Sequence, residues 1–164
     1  MSPTNLQISN IGSESDILLR NLCELYIHDM AEFFEIDTGD DGRYSYDTSS
    51  VWKNGSQVYL VKAGCSIAGF AIVGAAAKSL SEVPVHDVHE FFIVRRYRRH
   101  GFGQNLASFL WNQHPGPWLV RVLEANAPAI LFWRTAISRH SDSRYTEERR
   151  IVNGRSWVFF RFGE

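Results

Sequence analysis

The stretch Val88-His89-Glu90-Phe91-Phe92-Ile93-Val94, Arg95-Arg96-Tyr97-Arg98-Arg99-His100, Gly101-Phe102-Gly103 and Gln104-Asn105-Leu106-Ala107-Ser108-Phe109-Leu110-Trp111-Asn112-Gln113 decides the fold. Its first part is rich in β-branched and aromatic residues and reads as a buried strand. From Phe102 onward, Phe102, Leu106, Phe109 and Leu110 recur at helical spacing. A basic turn and two glycines lie between strand and helix. Gly101 and Gly103 lack Cβ atoms, so a ligand can come close to the main chain. The first amides of a helix have no partner within it and sit at the positive end of its dipole. Arg95, Arg96, Arg98 and Arg99 add formal charge nearby. Such a place suits an anion, above all a phosphate.

Upstream, Gln57–Ala63 and Ser66–Gly74 are apolar runs joined by Gly64-Cys65, the pattern of a β-hairpin. Ala75 to Asp87, with Pro84, connects them to the central strand. Downstream, His114-Pro115-Gly116-Pro117 ends the helix, because proline cannot continue it. Trp118–Leu123 reads as another strand. Asn126-Ala127-Pro128-Ala129 opens a second helix, with Asn as cap and Pro in the first turn, running through Ile130, Leu131 and Trp133 to about Ile137. Tyr145–Val152 and Arg155–Phe162 flank Asn153-Gly154, a strong hairpin signal.

Toward the N-terminus, Asn5–Ile8 is read as a short strand and Ser13-Glu14-Ser15-Asp16 as a helix start with a hydroxyl cap and early acids. Leu18, Leu22, Leu25, Tyr26, Met30 and Phe33 give that helix one apolar face through about Phe34. Glu35 to Ser50 reads as a polar loop. Its Asp37, Asp40 and Asp41 lack the order and the closing Glu of a calcium loop, so it is taken as solvated, with no metal. The element order β-α-loop-β-β-β-α-β-α-β-β, without repeats or linkers, predicts one domain over residues 1–164, with a mixed sheet covered by helices on both faces.

Composition limits the function classes. The 164 residues suffice for a real core, and 45% hydrophobic with 21% charged residues is ordinary for a globular chain. A net charge of −1 gives no bulk attraction to nucleic acid or membrane, so the arginine run is a local feature. Nucleic-acid binding through Arg95–His100 has no second basic patch or stacking platform behind it. Cys23 and Cys65 have no metal-type spacing and read as reduced thiols, which with no apparent secretory signal predicts a cytoplasmic protein. No run approaches the roughly 20 apolar residues of a membrane span.

The sequence resembles the GNAT superfamily of acyl-CoA-dependent N-acyltransferases. That superfamily's acetyl-CoA signature, Gln/Arg-x-x-Gly-x-Gly/Ala between a strand and a helix, is similar to Arg98-Arg99-His100-Gly101-Phe102-Gly103. A second motif, Asn then Ala and an aromatic pair, resembles Asn126, Ala129, Phe132 and Trp133. The resemblance implies a mostly antiparallel sheet with a splayed cofactor cleft. It further implies that amides of about Arg99 to Gln104, the stretch holding His100, Gly101, Phe102 and Gly103, grip the CoA diphosphate after Arg98. Pantetheine would lie beside Phe92, Ile93 and Val94 as an added strand, with Asn126, Phe132 and Trp133 on the other wall.

An amine attacking a thioester must lose a proton, and the carbonyl oxygen must be stabilised as it becomes anionic. A main-chain N–H near Ile93 can serve the oxygen. Asp87, His89 and Glu90 are the candidate bases on the strand; histidine is a residue type suited to a base at neutral pH, and Glu90 precedes the double Phe. Alternation puts Asp87 and His89 on one face and Glu90 on the other. Of the three, His89 and Glu90 are expected to carry catalysis, and the residues leave the choice between them open. Trp133 stands where the family often has Tyr, and an indole N–H is a poor acid for a departing thiolate. By family analogy the acceptor site draws on the first helix and the following loop, with Tyr26, Asp29, Glu32 and Tyr44; their acidic neighbourhood favours a cationic amine. The expectation is an acetyl-CoA-dependent N-acetyltransferase acting on a small primary amine by direct transfer, its oligomeric state open to a homodimer. The rival readings are an idle acyl-CoA-binding module and a protein or peptide N-acetyltransferase.

Overall fold

Strand-forming runs and their turn residues account for most of the architecture. A computed structural model describes residues 6–163. The elements run β1 (Leu6–Ile11), α1 (Asp16–Met30), α2 (Thr48–Lys53), β2 (Gln57–Ala63), β3 (Ser66–Ala75), β4 (His86–Ile93), α3 (Phe102–Gln113), β5 (Trp118–Leu123), α4 (Ala127–His140), β6 (Tyr145–Val152) and β7 (Arg155–Phe162). The seven strands follow the order β1-β2-β3-β4-β5-β7-β6. The pairs β1/β2, β2/β3, β5/β7 and β6/β7 are antiparallel, and β4/β5 is parallel. This is the mixed sheet that the element order predicts, mostly antiparallel as the resemblance implies. By compactness the chain groups into two units, Met1–Val73 with His89–Phe102, and Gly74–Val88 with Gly103–Glu164.

The first unit is built on one apolar cluster. Leu19, Leu22 and Cys23 of α1, Val51 of α2, Val58 and Leu60 of β2, Phe70 and Ile72 of β3 and Phe92 of β4 are all buried. Each large apolar side chain buried this way contributes roughly 1.5–3 kcal/mol. β2 and β3 meet with Val58 opposite Ile72 and Leu60 opposite Phe70, and the register shifts between Val61 and Lys62. Gly69 is required by close approach, since a Cβ there would lie 2.2 Å from the Phe92 carbonyl oxygen.

Several expectations are corrected in this unit. The first strand is Leu6–Ile11, longer than the Asn5–Ile8 reading, whose Asn5 lies outside the described residues. Ser13 opens a short 3-10 turn rather than capping the helix, and Ser15, flanking α1, makes no side-chain capping bond. The Asp16 carboxylate instead accepts from Thr48 Oγ1 at 2.6 Å and Trp52 Nε1 at 2.7 Å, and pairs with Arg20 at 2.7 Å. α1 stops at Met30, not near Phe34, because Phe33 N bonds back to Met30 O and Glu32 N to Asp29 O, tightening the last turn. The polar loop also ends early: Asp47 accepts from Ser49 N at 3.0 Å and starts α2, which the sequence reading missed.

In the second unit, β4 and β5 pair with His86 opposite Trp118 and Asp87 opposite Leu119. The β5/β7 register sets Trp118 against Phe162 and Leu123 against Trp157. α3 buries Leu106, Ala107, Leu110 and Trp111, and α4 buries Trp133, Ala136 and Ile137, one face of each helix. α4 runs on to His140, past the expected end near Ile137. The β6/β7 turn at Asn153-Gly154 has φ of 51° and 74°, the left-handed pair of a type I′ hairpin. Among the described residues no helix is long and apolar enough to cross a membrane.

Candidate active site

The basic turn after β4 is held by one carboxylate. A 3-10 turn over Arg95–Tyr97 follows the strand, and Arg99 and Gly101 then take φ of 63° and 82°. Asp29, near the end of α1, accepts from Arg95 Nε at 3.1 Å and Nη2 at 2.6 Å, and from Arg98 Nη2. Arg98 also donates Nε to the Ile93 carbonyl at 2.7 Å, and its guanidinium lies 5.5 Å over the Phe92 ring. Burial pushes the Asp29 carboxyl up, but hydrogen bonds from Arg98 and Arg95 and their charges outweigh it, so it titrates below its ordinary value. The structure therefore engages Asp29, expected in the acceptor site, in shaping this turn. His100 closes it, donating Nδ1–H to the Arg98 carbonyl at 2.7 Å.

These bonds leave a definite set of groups for a ligand. Val94 N donates to Ala68 O of β3 at 2.8 Å. Strand alternation turns Ile93 to the opposite edge, where Arg98 already takes its carbonyl and its N–H remains directed outward. A Cβ on Gly101 would meet nothing within 4 Å, so the space beside that bend is open, and Arg99 and His100 are exposed. Open space, exposed cations and a helix start at Phe102 fit a phosphate-bearing ligand such as CoA. Phe102 itself is buried, 5.5 Å from the Tyr97 ring, so it anchors the bend.

Glu90 lies in a different setting. Tyr46 donates its hydroxyl to Glu90 Oε1 at 3.0 Å, and the Tyr26 phenol is hydrogen-bonded to the same carboxylate. Burial, then the Glu90 charge, pushes both phenols well above their ordinary range, so both stay protonated donors. Tyr26 packs edge-on against Phe70 and Phe92, each 6.1 Å away between centroids. Burial also drives the Cys23 thiol up to about 12, with the Glu90 charge adding to it, so that thiol is not a nucleophile. His89 is half-buried on the same strand.

Of the other expected acceptor residues, Tyr44 is fixed by α1. Glu24 accepts from the Tyr44 amide at 2.8 Å and the Ser45 amide at 2.9 Å, and the Tyr44 hydroxyl lies 3.2 Å from His28 Nδ1. Glu32 is exposed in the turn after α1. Tyr46 and Glu24 were missed. Tyr46 alternates with Tyr44 in a tyrosine-rich pair, a signal that could have singled it out, whereas nothing local marks Glu24. Among the described residues, no three His, Cys, Asp or Glu side chains gather as a metal site.

In the second unit, Asn126 Oδ1 accepts from Ala129 N at 3.2 Å and caps α4, which leaves its side-chain N–H₂. Trp133 is buried, 5.0 Å from Phe132 and 6.4 Å from Trp111 between centroids, so it is a core aromatic. Gln104 reaches Ser108 at 3.4 Å along α3. Asp87, weighed as a base, is 1% exposed and accepts from Arg121 Nη2 at 2.7 Å. Those bonds make it a structural acid.

This arrangement of strands and helices is also found in solved proteins. An acetyltransferase of the GNAT family from Streptococcus agalactiae matches with a TM-score of 0.73 over 97% of this chain and 95% of its own, at 14% identity. The chain has the GNAT acetyltransferase fold. A Bacillus subtilis acetyltransferase in complex with CoA matches at a TM-score of 0.60, covering 98% of this chain and 99% of its own at 14% identity. A ribosomal-protein-alanine N-acetyltransferase from Brucella melitensis matches at 0.63, covering 96% and 99% at 12% identity. No protein-family profile matches the sequence, and no curated protein matches it. In this GNAT fold, the strand, basic turn and helix quoted at the outset are β4, the Arg95–Gly101 segment and α3.

Proposed function

We propose that the protein is an N-acetyltransferase that moves the acetyl group of acetyl-CoA to a primary amine of a small acceptor by direct transfer. The observation that carries this reading is the Glu90 carboxylate held by two neutral phenols, Tyr26 and Tyr46, on the strand that leads into the basic turn. Neutral donors fix the carboxylate without cancelling its charge, so it can attract an ammonium group and accept its proton. Acetyl-CoA, when bound, supplies the acyl thioester.

The chain's own residues divide the work. Arg99, Gly101 and the first amides of α3 hold the diphosphate, and Asp29 holds Arg95 and Arg98 in place around that bend. The outward N–H of Ile93 donates to the carbonyl oxygen as negative charge develops there. Glu90 receives the amine's proton, directly or through water, as the new C–N bond forms and the C–S bond breaks. Buried Trp133 offers no acid, so the leaving thiolate takes its proton from water.

The likeness to a ribosomal-protein-alanine N-acetyltransferase favours a second reading, in which the amine is a polypeptide N-terminus. A thiol-release assay with a panel of primary amines and N-terminal peptides tests both. Release with small amines supports the first reading and release with peptides alone the second. Tight coenzyme A uptake by calorimetry with no release from any acceptor selects the idle binding module instead.

A further inference from the structure

We propose that Glu24 is a positioning residue: its carboxylate sets the bend at Tyr44 and Ser45 and so delivers the Tyr46 hydroxyl to Glu90. The inference rests on the reading of Glu90 as the group that receives the amine's proton.

The chain would not take this bend unaided. Ser45 has φ of 56°, in the left-handed region that residues with a side chain rarely adopt. What holds it is one carboxylate spread over two successive amides. Glu24 Oε2 accepts from Tyr44 N at 2.8 Å, and Oε1 accepts from Ser45 N at 2.9 Å. Successive amides in a turn form a concavity for an anion, and an ionised acceptor makes each bond stronger than a neutral one would. Backbone of this kind persists only where its surroundings determine it.

The placing of Glu24 on α1 indicates what the clamp serves. The segment 44–48 is tied to this helix at two places. Glu24 takes the amides at its upstream end. At its downstream end Thr48 Oγ1 donates to Asp16 at 2.6 Å and accepts from Arg20 Nε at 3.3 Å. Asp16 and Glu24 lie about two turns apart on α1, roughly 12 Å at about 1.5 Å per residue. Tyr46 sits between the two ties. It packs on the apolar cluster of α1, β2, β3 and β4, and its hydroxyl reaches Glu90 at 3.0 Å. Tyr26, the other phenol on Glu90, belongs to α1 itself. The helix thus supplies one donor to the Glu90 carboxylate directly and the second through Glu24.

The test reads the Tyr46 phenol as well as turnover. Burial, then the Glu90 charge, holds that phenol well above its ordinary range. In Glu24→Ala it should leave Glu90, and ultraviolet titration should then show one more tyrosine ionising near about pH 10 than in the parent protein. Thiol release should fall about tenfold in kcat, as in Tyr46→Phe, with coenzyme A affinity unchanged. In a Tyr46→Phe background Glu24→Ala should cost nothing further. Ser45→Gly, which takes a left-handed bend without strain, should recover severalfold of the kcat that Glu24→Ala loses. Glu24→Gln keeps one acceptor and should fall between the parent and Glu24→Ala, so it serves if the alanine variant does not fold. An unchanged phenol count in both Glu24 variants overturns the proposal, and so do losses that multiply in the double variant. If the parent turns over and Glu24→Ala keeps its kcat, the clamp falls and the acetyltransferase reading stands. If no amine gives thiol release, that reading falls and the phenol titration alone decides the clamp.

Discussion

Two acids three positions apart on β4 meet opposite fates. Asp87 is sealed from water and bound to Arg121 at 2.7 Å, a charge matched by a charge. Glu90 is half-buried and bound by phenols, a charge matched by dipoles. The first arrangement neutralises a carboxylate and fixes strands; the second fixes a carboxylate while leaving its charge available to a cation. Partner chemistry, not residue type, separates the ion-paired acid from the one proposed to act on the amine.

The comparison can be broken at three points. Asp87→Ala should cost the most stability, about 1.5–3 kcal/mol for the charged hydrogen bonds it takes from part-exposed Arg121, read from urea unfolding. Glu90→Gln should leave unfolding nearly unchanged and coenzyme A affinity intact, yet lower kcat on the order of 100-fold with a saturating amine. Equal loss of stability in the two variants would erase the distinction. Tyr46→Phe removes one donor from Glu90 and should lower kcat about tenfold, in line with roughly 1.5–3 kcal/mol for a hydrogen bond to a charged group. An unchanged kcat would show that Tyr26 alone positions the carboxylate.

The smallest expected effect is on acid stability. Asp29 titrates below its ordinary value as its two arginines outweigh burial, and Asp16 does so mainly through bonds from Thr48 and Trp52. A carboxyl depressed in the folded state adds stability that is full above its unfolded value, about 3.9, and is lost as pH falls through the folded value. Unfolding free energy should therefore decline below about pH 5, and Asp29→Asn should flatten part of that decline. A slope the same in Asp29→Asn as in the parent protein would assign the decline to other acids.

Elements punctuated locally were legible in the sequence. The bounds of β2, β5, β6 and β7 follow from alternation and from Asn153-Gly154 and Gly64-Cys65, and α3 lies between Gly101 and the Pro115–Pro117 break. α2 was not legible, since six residues carry no helical period and its ties run from Thr48 and Trp52 to Asp16, more than 30 positions away. The site divided the same way. The glycine bend and the Asn126 cap can be read from neighbours. The Asp29 link to Arg95 and Arg98 spans 66 and 69 positions and the Tyr46–Glu90 bond spans 44, so spacing holds no trace of either. The arginine partners of Asp29 and the Glu90 partner Tyr46 are therefore visible only in the fold.

The grip of Asp29 on Arg95 and Arg98 also changes how the bend should respond to ionic strength. Of the four arginines in this run, two already pair with a carboxylate, so on the proposed reading Arg96 and Arg99 are the ones to meet an incoming polyanion. Added sodium chloride should then weaken nucleotide capture less steeply than four unengaged guanidiniums would require.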